Sequence, residues 1–391
     1  MKYFFVLGNH PKLSLAELVS VLGTSDYQLS GSVAIFELPD KDPAVLMSIL
    51  GGTIKIGQIK LATAKQNLAE DITKLILEKA GIGRKFFFGL SMYGGKFDQK
   101  AMALSIKKGL QNQGIGSRWV QSREPVLSSV IVKTNKLLSS RGCEVVIIDN
   151  GTNLLLGVTQ AVQEFAEFSE RDYGRPARDS RSGMIPPKLA RIMINLARVG
   201  HEASILDPFC GSGTILQEAA VMGYQNLTGS DISPSAIKAT TENLKWLESG
   251  RSFKFPKLDT ADARKLSQTF PLKFFDAIIT EPYLGPPLQG HETSERIKQI
   301  IDELSALYQE SFLELAKIIK PSVRAVIVLP VIGGQRLPIL ERLAELGWQI
   351  DNQFIDLYDD KKRQSFIYGR EGQLVEREIV VLNFKLKRNT G

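Results

Sequence analysis

The stretch from Asp207 to Thr214, DPFCGSGT, ends an apolar run in a carboxylate and follows it with a Gly-Ser-Gly turn. Gly211 and Gly213 carry no side chain, so a ligand can approach the backbone of this turn, and a helix beginning near Thr214 points its free N–H groups at the same place. A dinucleotide site would use G-x-G-x-x-G to make room for a pyrophosphate. Here the turn is led by Asp207, which repels a pyrophosphate and attracts a sulfonium or ammonium. The pattern therefore favours S-adenosylmethionine over NAD or ATP. Asp231, 24 residues further on, ends the next strand, close to the spacing at which a doubly wound fold sets an acid on ribose hydroxyls. Asp262, after FKFPKLDTA, is expected to end the third strand and can accept from an adenine amino group, with the Ala263 backbone as a second contact. Cys210 has no basic partner nearby in sequence and reads as packed against the turn rather than as a nucleophile.

These residues need strands that end side by side. From Pro187 onward apolar strands alternate with amphipathic helices: KLARIMINLARVG, then ASILD, TILQEAAVMG, NLTGSD, SPSAIKATTENLKWLESG, FKFPKL, FFDAIIT, a long helix through Ile319, VRAVIVLPV and LPILERLAELG. That alternation predicts a mostly parallel, doubly wound sheet, and the terminal pair NQFIDLYD and REIVVLNFKL predicts an antiparallel hairpin at its edge. Before residue 161 shorter pieces give two smaller α/β units. There DITKLILEKAG and QKAMALSIKKGLQNQG read as helices, and KFFFGLSMY, SRWVQS, VLSSVIVKTNKLL and CEVVIIDNGTNLLLGVTQ as strands. The helix around residues 99–114 aligns Ala103, Ile106 and Leu110 on one stripe and leaves Lys107 and Lys108 off it.

Charge separates the two halves. Residues 51–150 hold 16 Lys and Arg against 7 Asp and Glu, and the rest of the chain holds 33 against 35. A basic module of this kind points to a polyanion, most plausibly nucleic acid. Between residues 161 and 187 the chain turns charged and is interrupted by Gly and Pro. Arg171, Arg175, Arg178 and Arg181 recur there, either as solvated connector charges or as contacts to a phosphate backbone. Two cysteines and three scattered histidines argue against a zinc cluster or a disulfide framework, and no metal is expected. No run approaches the ~20 apolar residues of a membrane span, and the start lacks a signal-peptide pattern, so the expected location is the cytoplasm.

DPFCGSGT followed by TEPY resembles the RNA and DNA amino-methyltransferases. With RDYGRPARDSRSGMIPPKLARIMINLA and the basic N-terminal half, the chain is similar in particular to the THUMP-domain enzymes that make N2-methylguanosine at position 10 of tRNA. The likeness covers essentially the whole chain, strongest from Arg171 to Gly285 and weakest before Thr53. It implies a ferredoxin-like module over 1–53, a THUMP RNA-binding domain over 54–160, a linker over 161–186 and a Rossmann-like methyltransferase domain over 187–391. It implies S-adenosylmethionine held by Asp207, Phe209, Gly211, Gly213, Thr214, Asp231, Ile232, Asp262 and Ala263. tRNA would be gripped by Lys107, Lys108, Arg118, Arg175 and Arg178; an activator subunit is left open.

The same resemblance sets Glu281, Pro282 and Tyr283 on the catalytic loop. An exocyclic base amine is a poor nucleophile because its lone pair drains into the ring. A carboxylate and a proline carbonyl can accept its hydrogens, and an aromatic neighbour can stack an extruded base. This chain departs from the family pattern of Asp, Asn or Ser, then two prolines, then an aromatic. Glu281 is one methylene longer than Asp, Tyr283 stands where the second proline belongs, and Leu284 where the aromatic belongs. Either Tyr283 stacks from a shifted loop, or the base lies on an apolar surface, or catalysis has been lost. Adenine-N6 methylation of DNA and a retired, RNA-binding methyltransferase fold are the alternatives.

Overall fold

A computed structural model of the chain describes residues 1–81, 85–95, 97–178 and 183–385. The chain divides into two compact units, residues 1–15 with 24–167, and residues 16–23 with 168–391.

The first unit is built on one eight-stranded sheet. Its strands are β1 (Lys2–Leu7), β2 (Tyr27–Ser30), β3 (Val33–Glu37), β4 (Thr53–Thr63), β5 (Phe86–Tyr93), β6 (Ser117–Val120), β7 (Gly142–Asp149) and β8 (Leu154–Val162), in the order β2-β3-β1-β4-β8-β7-β5-β6. Strands from either side of residue 53 thus share one sheet, because β4 pairs antiparallel with both β1 and β8. The helix Gln99–Asn112 starts on Asp98, whose carboxylate accepts from the N–H groups of Lys100 and Ala101, each at 3.0 Å. It buries Ala103, Ile106 and Leu110 and leaves Lys107 and Lys108 exposed, as the stripe requires. The run VLSSVIVKTNKLL is a correction. Ser129–Thr134 is a helix, capped by the Ser128 hydroxyl, which accepts from the Ile131 N–H. The cap overrides the strand preference of Val130, Ile131 and Val132.

The second unit holds β9 (Ser204–Asp207), β10 (Asn226–Asp231), β11 (Lys257–Thr260), β12 (Phe275–Thr280), β13 (Ile319–Ile332), β14 (Gln335–Arg336), β15 (Trp348–Ile350), β16 (Phe366–Tyr368) and β17 (Val375–Phe384). They form a sheet ordered β11-β10-β9-β12-β13-β17-β15, with β14 beside β13 and β16 beside β17. The first five strands run parallel, and β17 runs antiparallel between β13 and β15. The central residues of β9 and β12, Ile205 and Leu206 and Ala277 to Ile279, are apolar in succession because both faces of the sheet are buried there. The strand order reverses between β9 and β12, and it is outside the carboxyl ends of such strands that an open α/β sheet binds its ligand. Two strand expectations change here. Asn352–Phe354 is a 3₁₀ turn capped by Asp351, and β17, read as an edge strand, lies inside the sheet. The antiparallel hairpin is β16 with β17. Among the described residues no helix is long and apolar enough to cross a membrane.

Candidate active site

A cavity of about 1020 Å³ opens at the carboxyl ends of β9, β10 and β12 and is lined by Asp207, Asp231, Asp262 and Glu281. The sheet register brings the acids together: β9 pairs with β10 on one side and β12 on the other. Asp207 ends β9 and is 2% exposed. Its Oδ1 accepts from the Thr280 hydroxyl at 2.7 Å and from the Phe209 N–H at 3.3 Å, both neutral donors. Burial pushes its pKa up to about 7 against those two bonds, and the charges of Asp231 and Glu281 push it the same way. Asp231 ends β10 and accepts the Gly211 N–H at 3.1 Å and the Ser233 N–H at 2.9 Å, tying the glycine turn to the second strand.

The turn is held from behind. Thr240 donates to the Gly211 carbonyl at 2.7 Å, and Asn243 donates to the Ser212 carbonyl at 2.9 Å. Gly213 has φ +83°, and a Cβ there would meet Thr240 Cγ2 at 2.8 Å, so glycine is required. Gly211, also at positive φ, has nothing within 4 Å of the Cβ position, which leaves its face open for a ligand. Cys210 is buried, with its thiol 3.8 Å from the Thr240 hydroxyl and its pKa pushed up by burial, which makes it inert.

The remaining cofactor positions are unequal. Ile232 is 61% exposed and lines the cavity, and Phe209, Thr214 and Ala263 line it as well. Asp262 lies two residues beyond the end of β11 rather than on it. Its carboxylate caps the turn Ala263–Gln268 by accepting from the Arg264 N–H at 2.9 Å, and it pairs with the Arg264 guanidinium. That pairing holds its pKa below the usual carboxylate value.

Glu281, the first residue after β12, is mostly buried and takes the Arg377 Nε–H at 2.5 Å on Oε1, with Nη2 3.4 Å from Oε2. Burial raises its pKa and Arg377 opposes the rise. Pro282 is buried, and the Tyr283 ring is 53% exposed. The Tyr283 carbonyl is fixed by the Tyr308 hydroxyl at 2.8 Å. Arg377 was missed on sequence, because nothing near it marks it and 96 residues separate it from Glu281.

The basic residues also divide. Lys107, Lys108 and Arg118 are exposed on the first unit. Arg178 is exposed at the cavity with its guanidinium 5.2 Å from the Tyr173 ring. Arg175 is a correction: it is 2% exposed, donates to the Thr214 hydroxyl at 2.6 Å and approaches Met184 Sδ, so no phosphate backbone can reach it. Arg171 is buried too, paired with Glu218 alongside Arg191. Arg181 lies outside the described residues.

Residues 175–331 match the family described as "RMKL-like, methyltransferase domain". This part of the chain is therefore similar to a methyltransferase domain. The acid-lined, glycine-floored cavity fits a cationic nucleoside ligand. Among curated relatives, the tRNA (guanine(10)-N2)-dimethyltransferase of Pyrococcus abyssi is 28% identical over 266 residues, 64% of this chain and 75% of that protein. The enzyme of the same name from Methanocaldococcus jannaschii is 31% identical over 157 residues, which span 39% of this chain and 44% of that one. The alignment with the jannaschii protein thus spans less than half of its length. Among solved structures, TrmN from Thermus thermophilus superposes with a TM-score of 0.52 at 17% identity, covering 98% of this chain and all of that one. At that identity the likeness bears on the fold alone, and the parallel sheet of the second unit is Rossmann-like.

Proposed function

We propose that the chain transfers a methyl group from S-adenosylmethionine to the exocyclic N2 of guanosine 10 in tRNA. The observation that carries this reading is that Glu281, followed by Pro282 and Tyr283, opens from a strand end into the same cavity as Asp207 and Asp231. An amine acceptor and a cation site thus share one chamber. The choice of RNA is supported by the reach of the Pyrococcus alignment. Its 64% of the chain exceeds the whole second unit, so the kinship extends into the basic sheet unit as well.

When bound, S-adenosylmethionine supplies an electrophilic methyl carbon on a cationic sulfur. Asp207, buried among neutral donors, is the carboxylate that gains most from a nearby positive charge. Asp231 fixes the glycine turn and faces the same space. Glu281 and the Pro282 carbonyl accept the hydrogens of the guanine amine, letting nitrogen rehybridise toward the methyl carbon. The donor would supply the methyl carbon for the new N–C bond and would leave with the electron pair of the broken S–C bond, while Glu281 takes the proton that the amine nitrogen sheds. The exposed Tyr283 ring, its carbonyl anchored by Tyr308, covers the extruded base. Domains follow the same division in this reading: residues 1–160 hold RNA and residues 187–391 carry the chemistry.

Tritium transfer to an unmodified tRNA transcript, followed by nucleoside mass spectrometry, tests the proposal. N2-methylated guanosine is expected, lost when guanosine 10 is replaced by adenosine. Glu281→Gln is expected to slow transfer about a hundredfold while S-adenosylmethionine affinity by isothermal titration holds. Transfer to adenine N6 of a DNA duplex, or binding of donor without transfer to any RNA, would overturn it.

A further inference from the structure

We propose that Arg377 is the positioning residue of this site: it aims the Glu281 carboxylate at the base amine and ties it to the cavity wall at Gly183. The inference rests on the reading of Glu281 as the group that accepts the amine hydrogens.

The geometry points to a purpose beyond packing. Glu281 follows β12, Arg377 lies on β17, and β13 runs between those two strands. Two strand spacings amount to roughly 9–10 Å, a gap that the two long side chains close together. Arg377 closes it with Nε on Glu281 Oε1 at 2.5 Å, and it sends Nη2 to the Gly183 carbonyl at 2.6 Å. Glu281 and Gly183 both line the cavity, so one buried guanidinium fixes two parts of its wall. The base of the arginine is itself immobile, because β17 pairs with β13 from Arg324 to Ile332 and Arg377 lies opposite Pro330 and Tyr368.

The engagement is also unequal. Oε1 takes the short bond, whereas Oε2 has only the 3.4 Å approach of Nη2 and keeps acceptor capacity. A lysine would supply charge without the planar fork that sets this orientation. Among the described residues, the Asp207 carboxylate from β9 and the Tyr308 hydroxyl from the helix Ser294–Ile318 also face Glu281. Asp207 opposes a second negative charge, and Tyr308, its pKa pushed up by burial and by Glu281, stays protonated. Arg377 is the positive partner that opposes the upward push of burial on the Glu281 carboxyl.

Single-turnover methyl transfer to tRNA at saturating S-adenosylmethionine, measured from pH 5.5 to 9.5, tests this. Removing the guanidinium removes the force that lowers the Glu281 pKa, so the acid limb must move to higher pH. Arg377→Met is expected to cut the rate at pH 7 by about tenfold or more, as the loss of a charge-assisted hydrogen bond implies, and to shift the acid limb upward by about one unit. Donor affinity is expected to change by less than about threefold. Arg377→Lys, which leaves no bare buried carboxylate and so guards against misfolding, is expected to keep the acid limb and lose part of the rate. Wild-type rate and profile in Arg377→Met, or full wild-type rate in Arg377→Lys, would reduce Arg377 to packing. An unimpaired Glu281→Gln would instead remove the reading underneath, whatever Arg377 does.

Discussion

Glu144 in the first unit and Asp207 in the second are both buried acids on central strands, and they are satisfied in different ways. Glu144, on β7, accepts from Lys55 Nζ at 2.5 Å, Ser91 Oγ at 2.5 Å and Thr159 Oγ1 at 2.6 Å, donors contributed by β4, β5 and β8. Ser91 in turn accepts the Leu127 N–H at 2.9 Å. Charge and hydrogen bonding are complete inside the protein. Asp207 has only a hydroxyl and an amide, and its pKa rises to about 7. A closed network is a structural joint; a buried acid short of positive charge, in the wall of a cavity, is a place prepared for a cation.

Breaking the closed network has the largest expected effect. Lys55→Met leaves Glu144 buried without its cation, which costs about 3–5 kcal/mol. Urea unfolding of the first unit is expected to shift accordingly, and adding Glu144→Gln is expected to recover much of the loss, since both charges are then gone. A single mutant as stable as the parent would mean that the network is not closed in the sense argued here.

The open acid responds with opposite sign. The Asp207 pKa is raised from ~3.9 in an unfolded chain to about 7 in the fold. Its protonated form contributes stability that is complete below pH ~4 and is lost as pH rises to 7. Asp207→Asn never ionises, so its stability relative to the parent is expected to grow from pH 4 to 7 and then level off, by up to the order of 4 kcal/mol. Thermal melts across that range read it. The same substitution is expected to weaken S-adenosylmethionine binding by tenfold or more. Parent affinity should climb toward pH 7 while the variant stays flat. A variant that loses stability at pH 8 would place Asp207 with Glu144 and end the contrast.

What could be read from the sequence was local. DPFCGSGT declares itself because a strand, an acid and two glycines fall within eight residues, and the amphipathic stripe of Ala103, Ile106 and Leu110 because its period is intrinsic to a helix. Glu281 was legible from its place at the end of an apolar run. Its partner was not, because the meeting of Glu281 and Arg377 depends on β17 returning between β13 and β15, and nothing in residues 375–384 records that strand order. Arg175 and Arg171 misled for a related reason. In sequence they are charges in a Gly- and Pro-broken stretch, and only packing against Thr214 and Glu218 makes them interior. Ser129–Thr134 shows the local limit, where one capping hydroxyl outweighs three β-branched residues.

The smallest expected effect concerns the basic unit, where charge is exposed and, in the proposed function, meets tRNA. Lys107 and Lys108 lie on the open face of the helix Gln99–Asn112, with Arg118 exposed on β6. Exposed lysines gain little from protein neighbours, so Lys107→Ala with Lys108→Ala is expected to leave stability within about 0.5 kcal/mol. Under the proposed function the effect falls on RNA binding. Each phosphate contact removed lowers the slope of log affinity against log salt by about 0.7–0.9, so fluorescence titrations of tRNA at several salt concentrations should show the slope falling by one or two such steps. An unchanged slope with weaker binding would mean that these lysines act through something other than phosphate, and the tRNA surface would then have to be sought on another face of the first unit.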